Sequence, residues 1–302
     1  MSTLQKYSRG VITVAAGPQK YISQALNLAR SIRVHNPNLR LAVITDSRDP
    51  ELKSTFDIIH QMDLRLGGPY RQKLCLNRYS KFGQTLFIDS DCLVFRPLEE
   101  IFERLRTSSF CVPTIMVSSG VWYRDLAGWL ELLGVPSLPR HNSGCFCFAD
   151  TLAANEFFST ALDYYDRLNE FSIPQTHSGM PDEPAIAMAL VDHGISGPLH
   201  DSSVQFSPLC GEISSDYSVL RGRMECWRLD RAAVTPFILH CLAGECAQSR
   251  YRREAIKLKW NAHHVPAFVC ETLVNFYFFV RHGWRGRLQN LLNLRLGQRH
   301  GG

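Results

Sequence analysis

The sequence predicts an α/β fold, in which buried strands alternate with amphipathic helices along most of the chain. Hydrophobic residues make up 45% of the 302 positions, which is enough for a sizeable core. Apolar runs such as residues 11–16 are followed by stretches with helical spacing, such as residues 22–32. This alternation indicates a sheet whose ligands bind at the carboxyl ends of its strands.

Apolar periodicity, together with prolines and glycines, places the elements in order. Gly17-Pro18 ends the first strand, Pro97 and Pro184 suit the first turns of helices, and Pro266 divides the last helical segment. The first part is predicted to contain strands at 11–16, 41–45, 56–59 and up to Asp89, with helices at 22–32, 70–82 and 98–105. The second part is predicted to contain strands at 110–113 and 143–148, helices at 152–169 and 184–193, short strands over 198–239, and helix from 251 onward.

Two aspartates follow the fourth predicted strand, in the segment Asp89-Ser90-Asp91. In extended backbone alternate side chains point to the same face, so Asp89 and Asp91 point together and Ser90 points away. Two carboxylates at one spot repel each other, and a divalent cation such as Mn²⁺ or Mg²⁺ relieves that repulsion while leaving positions for phosphate oxygens. The alternative is a turn with two exposed acids. The motif therefore predicts a site for a metal and a diphosphate.

The charge of the chain is unevenly distributed. Residues 249–302 hold ten Lys or Arg against Glu254 and Glu271, a net charge of +8, whereas residues 1–248 carry a net charge of −3. We therefore predict one domain at 1–248 and a basic helical extension at 249–302. The extension suggests contact with an anionic surface, although a solvated helical face would have the same composition. The basic residues lie late and form no recognised motif, so nucleic-acid binding is not expected.

The cysteines and the amino terminus favour the cytoplasm. Residues 1–10 lack an apolar core of the kind that a secretory segment has, and the ten cysteines form no pair of CxxC units. No G-x-G-x-x-G loop follows the first strand, so a Rossmann dehydrogenase is not supported.

Several motifs in this order resemble the GT-A glycosyltransferases. They are Thr13 to Gly17 with Tyr21, Lys73 to Lys81 leading into Asp89-Ser90-Asp91, Asn142-Ser143-Gly144, Asp182-Glu183-Pro184, and His240 with Gly244. The resemblance is strongest to glycosyltransferase family 8, the glycogenin and bacterial lipooligosaccharide galactosyltransferase group. It implies a GT-A fold, a Rossmann-like mixed sheet over residues 1–248, and a hexosyltransferase that retains the anomeric configuration of a UDP-sugar.

The resemblance also implies a role for each motif. Asp89, Asp91 and His240 would hold Mn²⁺ or Mg²⁺ against the donor diphosphate, with Lys73, Ser90 and Gly244 beside it. The nucleobase and ribose would be bound by Thr13, Ala15 and Tyr21. The donor sugar and the reacting centre would be contacted by the catalytic residues Asn142, Ser143, Asp182 and Glu183. The acceptor, which could be a carbohydrate, a lipid-linked sugar or a protein, is not indicated by the sequence.

Two positions depart from the family pattern. The family usually has His-x-x-Gly-x-x-Lys, whereas here an extra residue separates His240 from Gly244 and no lysine follows at the expected place. Arg250, Arg252 or Arg253 could supply the missing charge. Glu183 also stands where glycogenin has a glutamine.

Two other classes remain as alternatives. A strand that ends in Asp-x-Asp also occurs in haloacid-dehalogenase-like phosphatases, and a GT-A domain can serve as a binding module without turnover.

The last part of the chain combines apolar and basic residues. Trp284 and four leucines alternate with arginines in a pattern that would place most of the apolar residues on one side of a helix. Such a helix is typical of a peripheral contact with an anionic membrane, here expected at the cytoplasmic face. The same stripe could instead pack on the domain.

Overall fold

The structure is a computed structural model that describes residues 7–104, 106, 109–176, 179–198, 200, 202–214 and 217–281. A six-stranded mixed sheet forms its centre. The strands lie in the order β3 (Ile58–Gln61), β2 (Arg40–Thr45), β1 (Tyr7–Val14), β4 (Phe82–Ile88), β11 (Cys145–Ala149) and β6 (Phe110–Cys111). The first four pair in parallel, whereas β11 is antiparallel to both β4 and β6.

Helices cover both faces of this sheet. In chain order they are α1 (Gln19–His35), α2 (Pro50–Thr55), α3 (Pro69–Lys73), α4 (Leu76–Tyr79), α5 (Glu99–Arg104), α6 (Leu126–Leu133), α7 (Leu152–Asp166), α8 (Glu183–Asp192), α9 (Leu242–Cys246), α10 (Ser249–Ala262) and α11 (267–281), with a 3-10 helix at Leu64–Leu66. Alternate side chains of β1 point to opposite faces, so that Val11 joins the core beneath α1 while Ile12 joins the core beneath α7 and α8. The sheet is therefore buried on both sides, as the unbroken apolar strands predict.

Smaller sheets complete the fold. One contains β12 (Gln205–Phe206), β16 (Ile238–His240) and β5 (Cys92–Val94) in that order. The others pair β7 (Thr114–Val117) with β10 (Leu138–His141), β8 (Val121–Trp122) with β9 (Arg124–Asp125), and β13 (Gly211–Ile213) with β14 (Cys226–Arg228) and β15 (Ala233–Val234). The first of these sheets brings β16, from late in the chain, beside β5, which follows the two aspartates.

The predicted α/β order is confirmed, with one clear error. The helix predicted at 70–82 is two short helices, α3 and α4, because the chain turns at Leu74 and Cys75. Leu74, Cys75 and Leu76 are all fully buried, and three consecutive residues of one straight surface helix could not all face the core. The strands between residues 114 and 142 were not predicted, because they are only two to four residues long, and the eight-residue helix α6 among them was not predicted either.

The last two helices pack on the rest of the chain. On α10, Leu258 lies in a core cluster with Leu93 and Phe95, and Tyr251 accepts a hydrogen bond from Asn27 on α1 at 3.4 Å. The division of the chain at residue 248 stays a prediction. Within the described part of the chain, no helix is both long and apolar enough to cross a membrane. The predicted Trp284 segment lies outside the described residues.

Candidate active site

The Asp-x-Asp segment lies where three strands meet. The Asp89 backbone N–H donates to the Gly144 carbonyl at 2.9 Å, immediately before β11. The Asp91 carbonyl accepts from the Cys241 N–H at 3.0 Å, immediately after β16. Because β1 and β4 are parallel neighbours, the segment after β1 that contains Ala15 ends at the same edge of the sheet. The two aspartates are therefore held by backbone contacts to segments that are distant in the sequence.

The three residues predicted as metal ligands come together. His240 Nε2 lies 3.1 Å from Asp91 Oδ1 and 3.9 Å from Asp89 Oδ2. Two carboxylates and one imidazole nitrogen form a donor set that suits Mn²⁺ or Mg²⁺, and the carboxylates are about one fifth exposed, which leaves an open side. The Cys92 thiol also lies near Asp91 and His240, but burial raises its pKa well above the usual value and it points to the Gly144 carbonyl. A neutral thiol is a poor ligand for these hard cations.

Burial and neighbouring charges shift the pKa values of these three residues. Burial lowers the pKa of His240, but the carboxylates of Asp91 and Asp89 together outweigh burial and raise that pKa above its usual value. In the same way His240 outweighs the effect of burial and lowers the pKa of Asp91. Burial holds the pKa of Asp89 above its usual range despite the attraction of Lys73. The site therefore stabilises positive charge at the point between the carboxylates.

Lys73 joins the aspartates to the predicted sugar-binding residues. Its Nζ lies 2.9 Å from Asp89 Oδ2, 3.3 Å from Asp182 Oδ2 and 3.5 Å from Ser143 Oγ. Burial would lower the pKa of Lys73, but the attraction of Asp182 and Asp89 raises it. The structure places this ammonium between the carboxylates of Asp89 and Asp182, and its contact with the donor phosphates stays a prediction.

Glu183 is held by two donors at the first turn of α8. Its Oε1 accepts from the Ser143 N–H at 3.1 Å, and its Oε2 accepts from the Tyr123 hydroxyl at 2.9 Å. Burial, together with the charge of Asp182, raises the pKa of Glu183 to about 7. Tyr123, whose backbone has a φ of 62°, was not predicted, because neither the contact nor the left-handed conformation leaves a mark in the residue pattern.

Asn142 contacts His240, and its contact with the donor sugar stays a prediction. Asn142 Oδ1 lies 2.9 Å from His240 Nδ1, 2.9 Å from the Gly144 N–H and 3.1 Å from Gln205 Nε2. A side chain at Gly144 would collide with both Gln205 and His240, since a Cβ there would lie 2.3 Å from Gln205 Nε2. Glycine is required at this close approach. Gln205 was not predicted, because it lies in a two-residue strand without a motif.

The predicted nucleotide-binding residues lie around this centre. Thr13 and Ala15 are buried at the end of β1, and Tyr21 is half-buried on α1 with Lys20 Nζ 4.7 Å from its ring. Ser90 is buried between the two aspartates. Gly244, on α9, borders an open cleft of about 560 Å³.

The cleft beside Gly244 bears on the missing lysine of the family pattern. Arg250, which lines the same cleft, binds both oxygens of Glu245 and donates Nη1 to the Ile213 carbonyl at 3.1 Å. Its charge is thus balanced by Glu245 rather than directed at a phosphate site.

Solved structures resemble the chain in fold, although no protein-family model and no curated protein sequence matches it. The galactosyltransferase LgtC, in complex with donor and acceptor sugar analogs, is 13% identical over 85% of this chain and 97% of its own, with a TM-score of 0.52. The glycosyltransferase GlyE of Streptococcus pneumoniae TIGR4 is 15% identical over 90% of this chain, with a TM-score of 0.53. The WbbM bifunctional glycosyltransferase is 12% identical over 80% of this chain, with a TM-score of 0.51.

The topology and these matches together decide the fold. The chain has the GT-A fold. It spans 63% of the length of GlyE and 47% of WbbM. The haloacid-dehalogenase-like interpretation is not favoured, because that phosphatase motif belongs to a different fold. Membership of glycosyltransferase family 8 stays a prediction.

Proposed function

We propose that this chain is a metal-dependent glycosyltransferase that transfers a hexose from a nucleotide-diphosphate sugar, UDP-hexose in the simplest case, to an acceptor hydroxyl. One observation carries the proposal: His240 Nε2 faces both Asp91 and Asp89, at 3.1 and 3.9 Å, at the carboxyl end of the central strands of a GT-A fold. This edge is where ligands bind in sheets of this kind.

The proposed roles follow from the contacts. Asp89, Asp91 and His240 would hold Mn²⁺ or Mg²⁺, which when bound neutralises the charge that develops on the leaving nucleoside diphosphate. Lys73 contacts both Asp89 and Asp182 and supplies positive charge between these two side chains. Thr13, Ala15 and Tyr21 would contact the nucleobase and ribose, and Ser90 and Gly244 would lie near the diphosphate.

The sugar would be bound at the segment that connects the metal site to α8. Ser143 contacts Lys73 through its hydroxyl and Glu183 through its N–H, so Ser143, Asp182 and Glu183 form one polar wall. Asp182 is almost fully buried beside Lys73. We assign Asp182 and Glu183 to the sugar and the reacting centre, with Asn142 adjoining them, and we expect retention of the anomeric configuration.

A donor-only assay tests the function without knowledge of the acceptor. The melting temperature of the purified chain is measured with a panel of nucleotide sugars, with and without Mn²⁺. In separate incubations of the folded protein, the released nucleoside diphosphate is measured. We expect one UDP-sugar to raise the melting temperature only when Mn²⁺ is present, and to be hydrolysed slowly. Asp91→Asn is the control, because it removes one ligand charge. Stabilisation without turnover would instead support the binding-module alternative.

We further propose that α11 contacts an anionic membrane surface. Phe268, Phe276 and Phe279 lie on one side of this helix and are 64–73% exposed. Leu273 and Val280, on the same side, are 51% and 40% exposed. After Glu271 the chain holds five arginines and no acidic residue. Apolar side chains next to a run of positive charge suit the headgroup region of an anionic bilayer, because burial of apolar surface and attraction to the lipid phosphates both favour binding. The acceptor would then be one that is reachable at a cytoplasmic membrane face, such as a lipid-linked sugar.

A further inference from the structure

Three donors converge on one atom beside the candidate metal site. Asn142 Oδ1 accepts hydrogen bonds from the Gly144 N–H, Gln205 Nε2 and His240 Nδ1, at 2.9, 3.1 and 2.9 Å. The side chains that donate are largely buried: Gln205 is 4% exposed and His240 is 7% exposed. Hydrogen bonds in such a place are not exchanged freely with water.

The backbone determines which atoms these are. A backbone N–H can only donate, so the Asn142 atom that faces Gly144 must be the carbonyl oxygen and not the amide nitrogen. Gln205 must then present its NH₂ group to the same oxygen. For the same reason His240 Nδ1 must carry a hydrogen. In the imidazolium form both ring nitrogens carry hydrogen, and Nε2–H faces the Asp91 carboxylate at 3.1 Å. Neutral imidazole has only one N–H, so once the ring is neutral Nε2, which faces Asp91 and Asp89, is left with its lone pair.

We infer that Asn142 is a positioning residue that sets the tautomer of His240, and that Gln205 holds the Asn142 amide in the required orientation. This inference rests on the proposed function, since it concerns the nitrogen that is offered to the metal. Partners of this kind raise the basicity of a ligating imidazole and fix its ring. The role differs from the sugar contact that the sequence resemblance implies for Asn142.

The fold explains why Gln205 is available for this role. Strand β12 pairs in parallel with β16, with Gln205 opposite Ile238, two residues before His240. Gly144 leaves the space in which the side chains of Gln205 and His240 meet Asn142. In the three-stranded sheet, His240 therefore ends the central strand β16, Asp91 immediately precedes β5 on one side, and Gln205 lies on β12 on the other side.

Two substitutions at Asn142 distinguish the effect of its hydrogen-bond acceptor from the effect of its size. Asn142→Asp keeps an oxygen acceptor of similar size, whereas Asn142→Leu keeps the size and removes the acceptor. Gln205→Met removes only the supporting donor. The imidazole ¹⁵N shifts of metal-free protein report the tautomer at a pH where His240 is neutral, with His240→Gln to assign the signal. Binding of Mn²⁺, alone and with UDP, is measured by the disappearance of the free-ion electron paramagnetic resonance signal.

We expect wild type and Asn142→Asp to show the Nδ1–H tautomer, and Asn142→Leu to lose it and bind Mn²⁺ with about 10- to 100-fold lower affinity. Gln205→Met should show mixed tautomers and an affinity a few-fold lower, and it serves as the test if Asn142→Leu does not fold. Wild-type tautomer and affinity in the variant that folds would overturn the inference. Absence of Mn²⁺ binding by wild type with UDP would defeat the proposed function instead, because the ¹⁵N measurement needs no metal.

Discussion

Lys73 Nζ donates to Asp89 Oδ2 at 2.9 Å, so a buried ammonium is in contact with one of the two aspartates proposed to bind a metal. The same ammonium lies 3.3 Å from Asp182. In the absence of a metal, the positive charges that act on Asp89 are those of Lys73 and His240, and the effect of Lys73 is the larger. Lys73 and a bound metal would then both neutralise the negative charge of Asp89 and its acidic neighbours.

Lys73→Met tests whether Lys73 and a metal both stabilise the negative charge of Asp89. Removal of one partner from a buried ion pair costs about 3 to 5 kcal/mol, because it leaves uncompensated charge behind. We expect a loss of that size in the free energy of unfolding measured in urea, and partial recovery on addition of Mn²⁺, which would supply positive charge beside Asp89.

A second buried lysine provides the matched control. Lys257 lies 2.8 Å from Glu254 and 3.0 Å from Glu271, away from the candidate site. Lys257→Met should therefore also destabilise the protein, but Mn²⁺ should not restore its stability. Equal recovery of both variants, or recovery of neither, would contradict the proposed position of the metal.

Asp89→Ala and Asp91→Ala should abolish transfer in protein that is still folded, although Asp89→Ala should also lower stability because it leaves the buried Lys73 without one of its partners. Each substitution removes a group that stabilises charge on the leaving diphosphate, which should cost about 3 kcal/mol or more, a hundredfold or greater loss of turnover. The release of UDP is compared with the melting temperature for each variant. Asp230→Ala, at an exposed acid paired with Arg228, is the control. Turnover close to that of wild type with Mn²⁺ present would rule out both ligands.

Glu183→Gln should change how stability depends on pH. Burial raises the pKa of Glu183 to about 7 from its usual 4.5, so between these pH values the folded protein retains a proton that the unfolded chain has lost. The wild type therefore loses stability as the pH rises through this window, and the loss is complete above pH 7. Glutamine carries no such penalty. The variant should gain about 3 kcal/mol relative to wild type between pH 4 and pH 8.

Urea denaturation of both proteins at pH 4, 6 and 8 measures this difference. A glutamine at this position can keep an oxygen toward the Ser143 N–H, so the comparison is not dominated by a lost hydrogen bond. Glu131→Gln, at an exposed acid of α6, is the matched control. A difference between Glu183→Gln and wild type that stays constant with pH would show that the pKa of Glu183 is the same in the folded and the unfolded chain.

The residue pattern predicted the elements of the sheet better than the contacts of the site. Strand β4 and the two aspartates after it could be predicted, because apolar runs and alternation depend on neighbouring residues. The positions of Lys73, Asn142 and His240 were predicted only through the family resemblance. Their partners were not: Gln205 and Tyr123 reach the site through tertiary pairing and a left-handed backbone, and neither leaves a local signal.

The stereochemistry of the reaction can be read from donor hydrolysis alone. If the enzyme retains configuration, the hexose first released from an α-linked UDP-sugar is the α-anomer, which ¹H NMR detects before mutarotation. Asp91→Ala measures the spontaneous background. Asp182→Asn should lower turnover more than donor affinity, if its carboxylate acts mainly in the transition state. Initial release of the β-anomer would refute retention.

The exposed face of α11 can be tested with vesicles. Phe268→Ser, Phe276→Ser and Phe279→Ser together remove three aromatic side chains that would enter the acyl boundary, so binding to vesicles of phosphatidylglycerol and phosphatidylcholine should fall at least about tenfold. Removal of residues 282–302 should also weaken binding, most clearly at low salt, since it deletes four arginines. Sedimentation with the vesicles measures both effects, and donor hydrolysis in solution should stay nearly unchanged.

The controls for α11 are two leucines that are equally exposed elsewhere. Leu209 and Leu229 are 73% and 81% exposed, so Leu209→Ser and Leu229→Ser remove apolar surface without altering the helix. These variants should sediment with anionic vesicles as wild type does, and none of the proteins should bind pure phosphatidylcholine strongly. If the triple phenylalanine variant sediments as before, α11 does not contact the bilayer. If it melts at a much lower temperature and loses hydrolysis, the phenylalanines stabilise the fold and the membrane proposal fails, because these side chains would then be packing against protein.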